Sequence, residues 1–215
     1  MTASDALASE RWETIDDLDA LVEVIGEPLP ATRDKVRPAL TSLDRDWLAA
    51  STFCVLATTG PHGGDASPKG DPAGHLVHVL DERTIAIAER PGNRRVDGYR
   101  NILADPRVGI LFVIPGRGDT LRINGRARIV REAPFFDDLV VKGHRLALAI
   151  VVDIDEVFHH CSKAFLRSRL WEPESWAPDA VPRRAVIAQA LERPETPLEE
   201  LDAYYEVSNY SKGLY

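Results

Sequence analysis

The sequence has 215 residues, enough for one domain with extensions, and its 44% hydrophobic and 28% charged residues are ordinary for a folded protein. Its 34 acidic and 26 basic residues give a net charge of −8, which argues against a general nucleic-acid-binding protein. The segment Met1 to Glu10 has no apolar core and no apolar run is long enough to cross a bilayer. We therefore expect a cytoplasmic protein without a signal peptide or a membrane span.

Helices are expected at the N-terminal end of the chain. Apolar residues recur at helical spacing over Ile15 to Ile25. A second helix is predicted over Asp44 to Ala50, with Ser42 or Asp44 as its cap. This pattern predicts an N-terminal helical extension over residues 1–42.

The pattern changes to strands from Phe53 onward. Phe53 to Thr58 is apolar enough for a buried strand that contains Cys54 as a buried thiol, and residues 66–69 resume extended structure after a glycine-rich turn. The other predicted strands cover residues 75–80, 84–89, 107–114, 120–131 and 146–154. A short turn at Asp81 to Arg83 favours a hairpin. We predict a mainly β fold with added helices, built as a six-stranded antiparallel split barrel with flanking helices.

The segment Thr120 to Arg131 alternates more regularly than any other. Apolar residues take one face and polar residues the other, namely Leu121, Ile123, Ala127 and Ile129 against Arg122, Asn124, Arg126 and Arg128. The arginines are interpreted as a solvent-facing stripe matched to acidic partners.

Helices are also predicted in the second half of the chain. They cover residues 134–142, 161–169, 183–191 and 198–207. The proline-rich stretch Pro173 to Pro182 indicates a linker. The expected domains are therefore the extension over residues 1–42, a barrel domain over residues 43–172, and a linker with a helical tail over residues 173–215.

Polar segments between the strands predict an anion site. Asn93 is a favourable helix N-cap, and the helix predicted after it would place Arg94 and Arg95 in its first turn. Two cations at the positive end of a helix dipole are unfavourable unless an anion, such as a phosphate, binds there. The alternative is a solvated helix start with surface ion pairs to Glu89 or Asp97, which contribute about 0–1 kcal/mol each.

Other candidate sites leave alternatives open. Lys163, Arg167 and Trp171 share one face of a predicted helix, which is either a solvated basic stripe or the mouth of a substrate pocket. No metal site is predicted, since His75 and His78 point to opposite faces of a strand and the two cysteines have no metal-ligand spacing.

The order of these segments resembles a known family. The residues that carry the likeness are Phe53 to Thr58, Ser67-Pro-Lys-Gly70, Pro91-Gly-Asn-Arg-Arg95, and residues 101–108, 120–127 and 161–171. In this order and spacing they resemble the FMN-binding split-barrel proteins of the pyridoxamine 5′-phosphate oxidase-like family, in a bacterial FMN-dependent branch. The likeness covers roughly Leu43 to Trp176.

The resemblance implies a homodimer with FMN at the subunit interface. It implies that the strand from Ala66 to Gly70 contacts the flavin ring, largely through backbone groups, that Arg94 and Arg95 bind the phosphate, and that Thr120 reaches the phosphate from another strand. Thr120 stands where the oxidase has a longer amide. The full set of implied cofactor-binding residues is Ser67, Pro68, Lys69, Gly70, Ala88, Glu89, Asn93, Arg94, Arg95 and Thr120.

Three functions follow as hypotheses. The first is an FMN-dependent oxidoreductase that acts on an unidentified small molecule, in which the cofactor carries the chemistry. The second is a haem- or deazaflavin-binding protein, or a non-catalytic flavin-binding or redox-sensing protein. The third is an interaction protein whose tail packs on a partner. The oxidase's C-terminal signature for pyridoxal phosphate is missing, so vitamin B6 chemistry is not assigned.

Overall fold

The computed structural model describes residues 12–215, so the prediction for Met1 to Glu10 lies outside the described residues. The chain divides into two units, residues 1–35 and residues 36–215. The described part of the first unit holds helices α1 (Leu18–Ile25) and α2 (Pro30–Arg33). The Asp17 carboxylate accepts a hydrogen bond from the backbone N–H of Ala20 and caps α1.

The second unit is built on one antiparallel sheet of seven strands. These are β1 (Phe53–Gly60), β2 (Gly63–Gly70), β3 (Val77–Val79), β4 (Thr84–Ala88), β5 (Arg107–Val113), β6 (Thr120–Val130) and β7 (Ala149–His160). Their order across the sheet is β2-β1-β5-β6-β7-β4-β3. The prediction of six strands is therefore wrong, and the sheet does not close into a barrel, because β2 and β3 remain its two edges.

The alternation predicted for β6 is confirmed. Leu121, Ile123 and Ala127 are buried in the core while Arg126 and Arg128 are exposed, and the Arg128 guanidinium pairs with Asp153 on β7. The pairing of β6 with β7 shifts register next to Gly125, where a Cβ atom would lie 2.2 Å from the carbonyl oxygen of Asp153. Glycine is needed there because the two backbones approach too closely for a side chain.

The predicted hairpin and the predicted buried thiol are also confirmed. Strands β3 and β4 pair antiparallel across the turn at Asp81 to Arg83. Cys54 is fully buried in the core, where loss of solvation raises the pKa of its thiol to about 12.

Helices flank the sheet. They are α3 (Ser42–Ala50), α4 (Asp97–Ala104), α5 (Lys163–Ser168), α6 (Arg184–Leu191), α7 (Leu198–Tyr205) and α8 (Val207–Tyr210). The cap of α3 is Thr41 rather than the predicted Ser42 or Asp44, and Asp44 completes a capping box with it. The helix predicted over residues 134–142 is a 3₁₀ helix, Pro134–Leu139. No helix among residues 12–215 has the length and apolar character needed to cross a membrane.

Candidate functional site

A cavity of about 470 Å³ lies beside strand β2, and we call it the β2 cavity. It is bounded by β2, by the end of β4 with the loop that follows, and by the first turn of α4. Eight of the ten predicted cofactor-binding residues line it, namely Ser67, Pro68, Lys69, Gly70, Ala88, Glu89, Asn93 and Arg95. The volume is within the range of about 300–1,000 Å³ that is typical of small-molecule pockets.

Strand β2 presents unpaired backbone groups along one side. It is an edge strand, and β1 is its one partner within residues 12–215. Pro68 has no N–H to donate, and proline is tolerated in a strand at such an edge. The peptide groups of β2 that point away from β1 are therefore available to a ligand with hydrogen-bonding edges.

Lys69 and Glu89 form an ion pair inside the β2 cavity. The Lys69 Nζ atom donates to the Glu89 Oε2 atom at 2.7 Å, and both side chains are largely buried. The same ammonium group lies 5.4 Å from the ring centroid of Tyr99. Lys69 is thus held in place, and its charge is balanced by a carboxylate.

Tyr99 lines the β2 cavity with a polar atom that the protein does not satisfy. Its hydroxyl oxygen is buried and makes no hydrogen bond of good geometry with the protein. Burial, together with the nearby Glu89 carboxylate, raises the pKa of Tyr99 above its usual value. A buried hydroxyl without a partner is costly, so a bound ligand or a water molecule is expected to complete this part of the cavity.

The two arginines predicted to open a helix lie in the loop before it. Helix α4 begins at Asp97 with Val96 as its N-cap, so the prediction of Asn93 as the cap is wrong. The Asn93 side chain instead accepts a hydrogen bond from the backbone N–H of Arg95. The argument from two cations within the first helical turn does not hold, because that turn carries an acidic residue, Asp97.

Arg94 and Arg95 differ in their surroundings. Arg95 lines the β2 cavity and its guanidinium pairs with Asp97 at the surface, which is the ion pair considered as the alternative. Arg94 is exposed, does not line the cavity, and makes no ion pair with any other residue between 12 and 215. Its backbone is left-handed, with φ of 60°, which is uncommon for a residue other than glycine.

A buried ion pair lies next to the end of β2. The Arg90 Nε atom donates to the Asp71 carboxylate at 2.6 Å, and a second guanidinium nitrogen donates to the carbonyl oxygen of Leu139 at 2.8 Å. Asp71 follows directly after the last residue of β2, and Arg90 itself lines the β2 cavity. The pair therefore fixes the loop after β4 against the end of β2.

Thr120 is the other predicted residue outside the β2 cavity. It lines a second cavity of about 440 Å³, on the outer side of β1, β5 and β6, together with Arg122 and Phe165. Within this chain, Thr120 and the loop that holds Arg94 and Arg95 therefore belong to different cavities.

Lys163, Arg167 and Trp171 do not line the β2 cavity. Their predicted common helical face is wrong for Trp171, because α5 ends at Ser168 and Arg169 turns the backbone into the left-handed region. The Trp171 indole N–H donates to the carbonyl oxygen of Arg117 at 2.7 Å. The role of the three residues in a substrate pocket stays a prediction.

Among the residues of the β2 cavity that sequence reasoning missed are one cation and two aromatic residues, namely Arg90, Tyr99 and Tyr210. Arg90 follows Glu89 directly and could have been found as another cation beside the predicted site. Tyr99 stands in the first half of the predicted helix. Tyr210 offered no local signal, because a distant part of the chain brings it to the cavity.

Comparison with known proteins places the fold. The family model of pyridoxamine 5′-phosphate oxidase matches residues 40–161, more than half of the chain. No curated protein matches the sequence.

The chain is also similar, at low sequence identity, to parts of solved structures, of which three are described. HupZ from Group A Streptococcus is 19% identical over 56% of this chain and 93% of that chain, with a TM-score of 0.44. General stress protein 26 from Bacillus anthracis is 13% identical over 54% of this chain and 88% of that chain, with a TM-score of 0.41. An F420 reductase is 17% identical over 54% of this chain and 94% of that chain, with a TM-score of 0.37.

Proposed function

The chain belongs to the pyridoxamine 5′-phosphate oxidase family, and from this we propose that it binds FMN in the β2 cavity and acts as an oxidoreductase on a small molecule. The observation that carries the proposal is the gathering of eight predicted cofactor-binding residues around one cavity of about 470 Å³. These residues come from two segments of the chain, residues 67–70 and residues 88–95, which the fold brings to one cavity.

The free edge of β2 fits a flavin ring. One end of the isoalloxazine ring carries alternating hydrogen-bond donors and acceptors, which match the N–H and C=O groups of an unpaired strand. The buried Tyr99 hydroxyl lies near the Glu89 carboxylate but makes no hydrogen bond of good geometry with residues 12–215, as expected for a cavity that is completed by a ligand. In this proposal residues 67–70 orient the flavin ring. The ion pair of Lys69 and Glu89 holds one positive and one negative charge at fixed positions beside that ring.

The phosphate of FMN is assigned to the loop that carries Arg94 and Arg95. Arg94 has no carboxylate partner among the described residues, and the pairing of Arg95 with Asp97 is an exposed surface contact that water and salt screen. A phosphate dianion can therefore replace Asp97 as the partner of Arg95 at little cost. When bound, FMN supplies hydride acceptance, while the protein binds, orients and shields it.

The proposal includes a homodimer. Thr120 lines the second cavity, on a sheet face where Val55, Ala57 and Leu111 leave apolar surface partly exposed. A second copy seated on this face covers that surface and brings its own Thr120 toward a cofactor at the interface. Analytical sedimentation of wild type and of Ala57→Arg tests this proposal. A monomeric wild type would contradict the dimer, and a dimeric Ala57→Arg variant would contradict the assignment of the interface to this sheet face.

The experiment that tests FMN binding is an absorbance spectrum of the purified protein, followed by mass spectrometry of the released ligand. We expect the bands of oxidised flavin and the mass of FMN. A Soret band would indicate haem instead. A released ligand with the mass of a deazaflavin would show that the cofactor is a deazaflavin and not FMN.

The phosphate assignment has a separate test. Arg94→Ala combined with Arg95→Ala should purify without flavin, whereas the matched double variant Arg107→Ala with Arg128→Ala, which removes two exposed arginines outside the β2 cavity, should stay yellow. A yellow Arg94/Arg95 variant contradicts the assignment of the phosphate to this loop.

A further inference from the structure

Helix α8 contributes a side chain to the β2 cavity. Tyr210, the last residue of α8, lines the cavity together with β2 residues and Tyr99. Neither the sequence patterns nor the family resemblance gives Tyr210 a role. The Tyr210 ring therefore has no assigned role, although it lines a cavity large enough for a small-molecule ligand.

An aromatic cluster holds Tyr210 from one side. The ring of Tyr210 lies 5.7 Å from that of Tyr204 and 5.6 Å from that of Tyr205. The Arg193 guanidinium lies over the ring of Tyr204 at 4.9 Å, and that of Arg184 lies over Tyr205 at 5.0 Å. These contacts tie α8 to α6 and α7, so the position of Tyr210 is supported by packing.

A second anchor holds the segment from the other side. The Tyr215 hydroxyl donates to the Asp71 carboxylate at 3.2 Å, and the Arg90 guanidinium lies 5.5 Å from the Tyr215 ring centroid. Asp71 and Arg90 are the buried pair that joins β2 to the loop after β4. The segment from Tyr210 to Tyr215 is therefore anchored at both ends, at Tyr210 by the aromatic cluster and at Tyr215 by the buried pair.

We propose that Tyr210 is a ligand-contacting residue of the β2 cavity, whose ring packs against the planar isoalloxazine ring of the bound flavin. The inference rests on the proposed function, because the planar ring is that of the cofactor. A tyrosine ring offers a large flat surface at low conformational cost, and aromatic rings pack favourably in offset-stacked geometry. Tyr215 is the positioning residue for the segment that carries Tyr210.

The test measures flavin binding to the full-length protein after its flavin has been removed, with FMN and riboflavin as probes. Tyr210→Ala should weaken the binding of both flavins about tenfold, because both carry the same ring. Tyr210→Phe keeps the aromatic face and should bind both flavins within about twofold of wild type. Tyr215→Phe removes the hydroxyl that anchors this segment to Asp71 and keeps the ring. It should weaken the binding of both flavins, but by less than Tyr210→Ala does.

The fluorescence of the bound flavin gives a second readout. A ring stacked on a tyrosine is quenched, so the emission of bound flavin should rise in Tyr210→Ala. The matched comparison is Tyr204→Ala, which removes a ring that packs on Tyr210 but does not line the β2 cavity. It should weaken flavin binding less than Tyr210→Ala does, because Tyr205 still packs against Tyr210.

Each outcome has one reading. Equal affinity of wild type and Tyr210→Ala overturns the inference and leaves the proposed function intact. Equal losses in Tyr210→Ala and Tyr204→Ala also overturn it, because the cluster then acts through the fold and not through contact. A wild type that binds neither flavin contradicts the proposed function itself.

Discussion

Replacing Glu89 by Gln should strengthen FMN binding. Glu89 neutralises Lys69 through the hydrogen bond of 2.7 Å, so a phosphorylated ligand meets a cavity whose charges already balance. Three acidic and three basic residues line the cavity, namely Asp65, Glu89 and Asp97 against Lys69, Arg90 and Arg95. Glutamine keeps the shape of Glu89 and can still accept the hydrogen bond from Lys69, so the substitution changes mainly the charge.

The size of the effect follows from the dimensions of the cavity. Across the roughly 8 Å that a cavity of about 470 Å³ spans, a carboxylate and a phosphate dianion repel by about 4 kcal/mol at an effective dielectric constant of about 20, and physiological salt screens this to about 1.5 kcal/mol. The dissociation constant for FMN should therefore fall about tenfold. Riboflavin has no phosphate, so its dissociation constant should change by less than about twofold.

The assay is a fluorescence titration of the flavin-free protein with each flavin at two salt concentrations. Glu82→Gln is the matched control, because Glu82 is exposed and does not line the β2 cavity. The gain for FMN should shrink at high salt, as a charge effect does. Weaker binding of both flavins to Glu89→Gln would refute the reasoning, because Glu89 would then be a direct partner of the flavin ring or of the ribityl chain.

Three further predictions concern stability and reactivity. Asp44→Asn leaves the guanidinium of Arg37 without its counter-charge, and urea titration at pH 7 should show a loss of about 3 kcal/mol in the free energy of unfolding. Burial opposes the charged form of Asp44, but hydrogen bonds from Arg37 and Thr41 outweigh it and lower its pKa, so wild type should lose stability as the pH falls below about 4 and the Asn variant should decline less steeply. Gly125→Ala should lower stability by at least about 2 kcal/mol in thermal unfolding, because the new Cβ atom meets a carbonyl oxygen at 2.2 Å, whereas Gly92→Ala, with nothing within 4 Å, should be nearly neutral. Burial raises the pKa of Cys54 to about 12, so a thiol reagent at neutral pH should label it only after unfolding, as mass spectrometry of its peptide would show.

Local pattern was sufficient to predict most of the sheet. The alternation along β6 and the apolar run of β1 determine which face is buried, since side chains of a strand point to opposite faces in turn. Both predictions depend on residues next to each other in sequence. The predicted barrel was wrong because closure depends on pairing between distant segments, and β2 and β3 stay apart at the two edges of the sheet.

The helix predictions failed at their ends, where one residue decides the outcome. Asn93 is a good cap in isolation, but its side chain closes a local turn with the N–H of Arg95, and α4 starts four residues later. At α5 the spacing of Lys163 and Trp171 assumed a helix long enough to hold both. Arg169 ends it in a left-handed conformation that its residue type does not predict.

The local ion pair between Arg95 and Asp97 was predictable from the sequence, but the contacts that join distant segments of the candidate site were not. The Lys69 and Glu89 side chains meet across 20 residues, and the Tyr215 hydroxyl reaches Asp71 across 144. Since these pairs exist before any ligand binds, a phosphate gains only the difference between its own contacts and those it replaces. Most of the free energy of flavin binding should therefore come from burying the ring and from hydrogen bonds along the free edge of β2. In the proposed function the backbone of β2 is itself the binding surface, which accounts for a strand rich in Gly, Asp, Pro and Lys, poor strand formers in general.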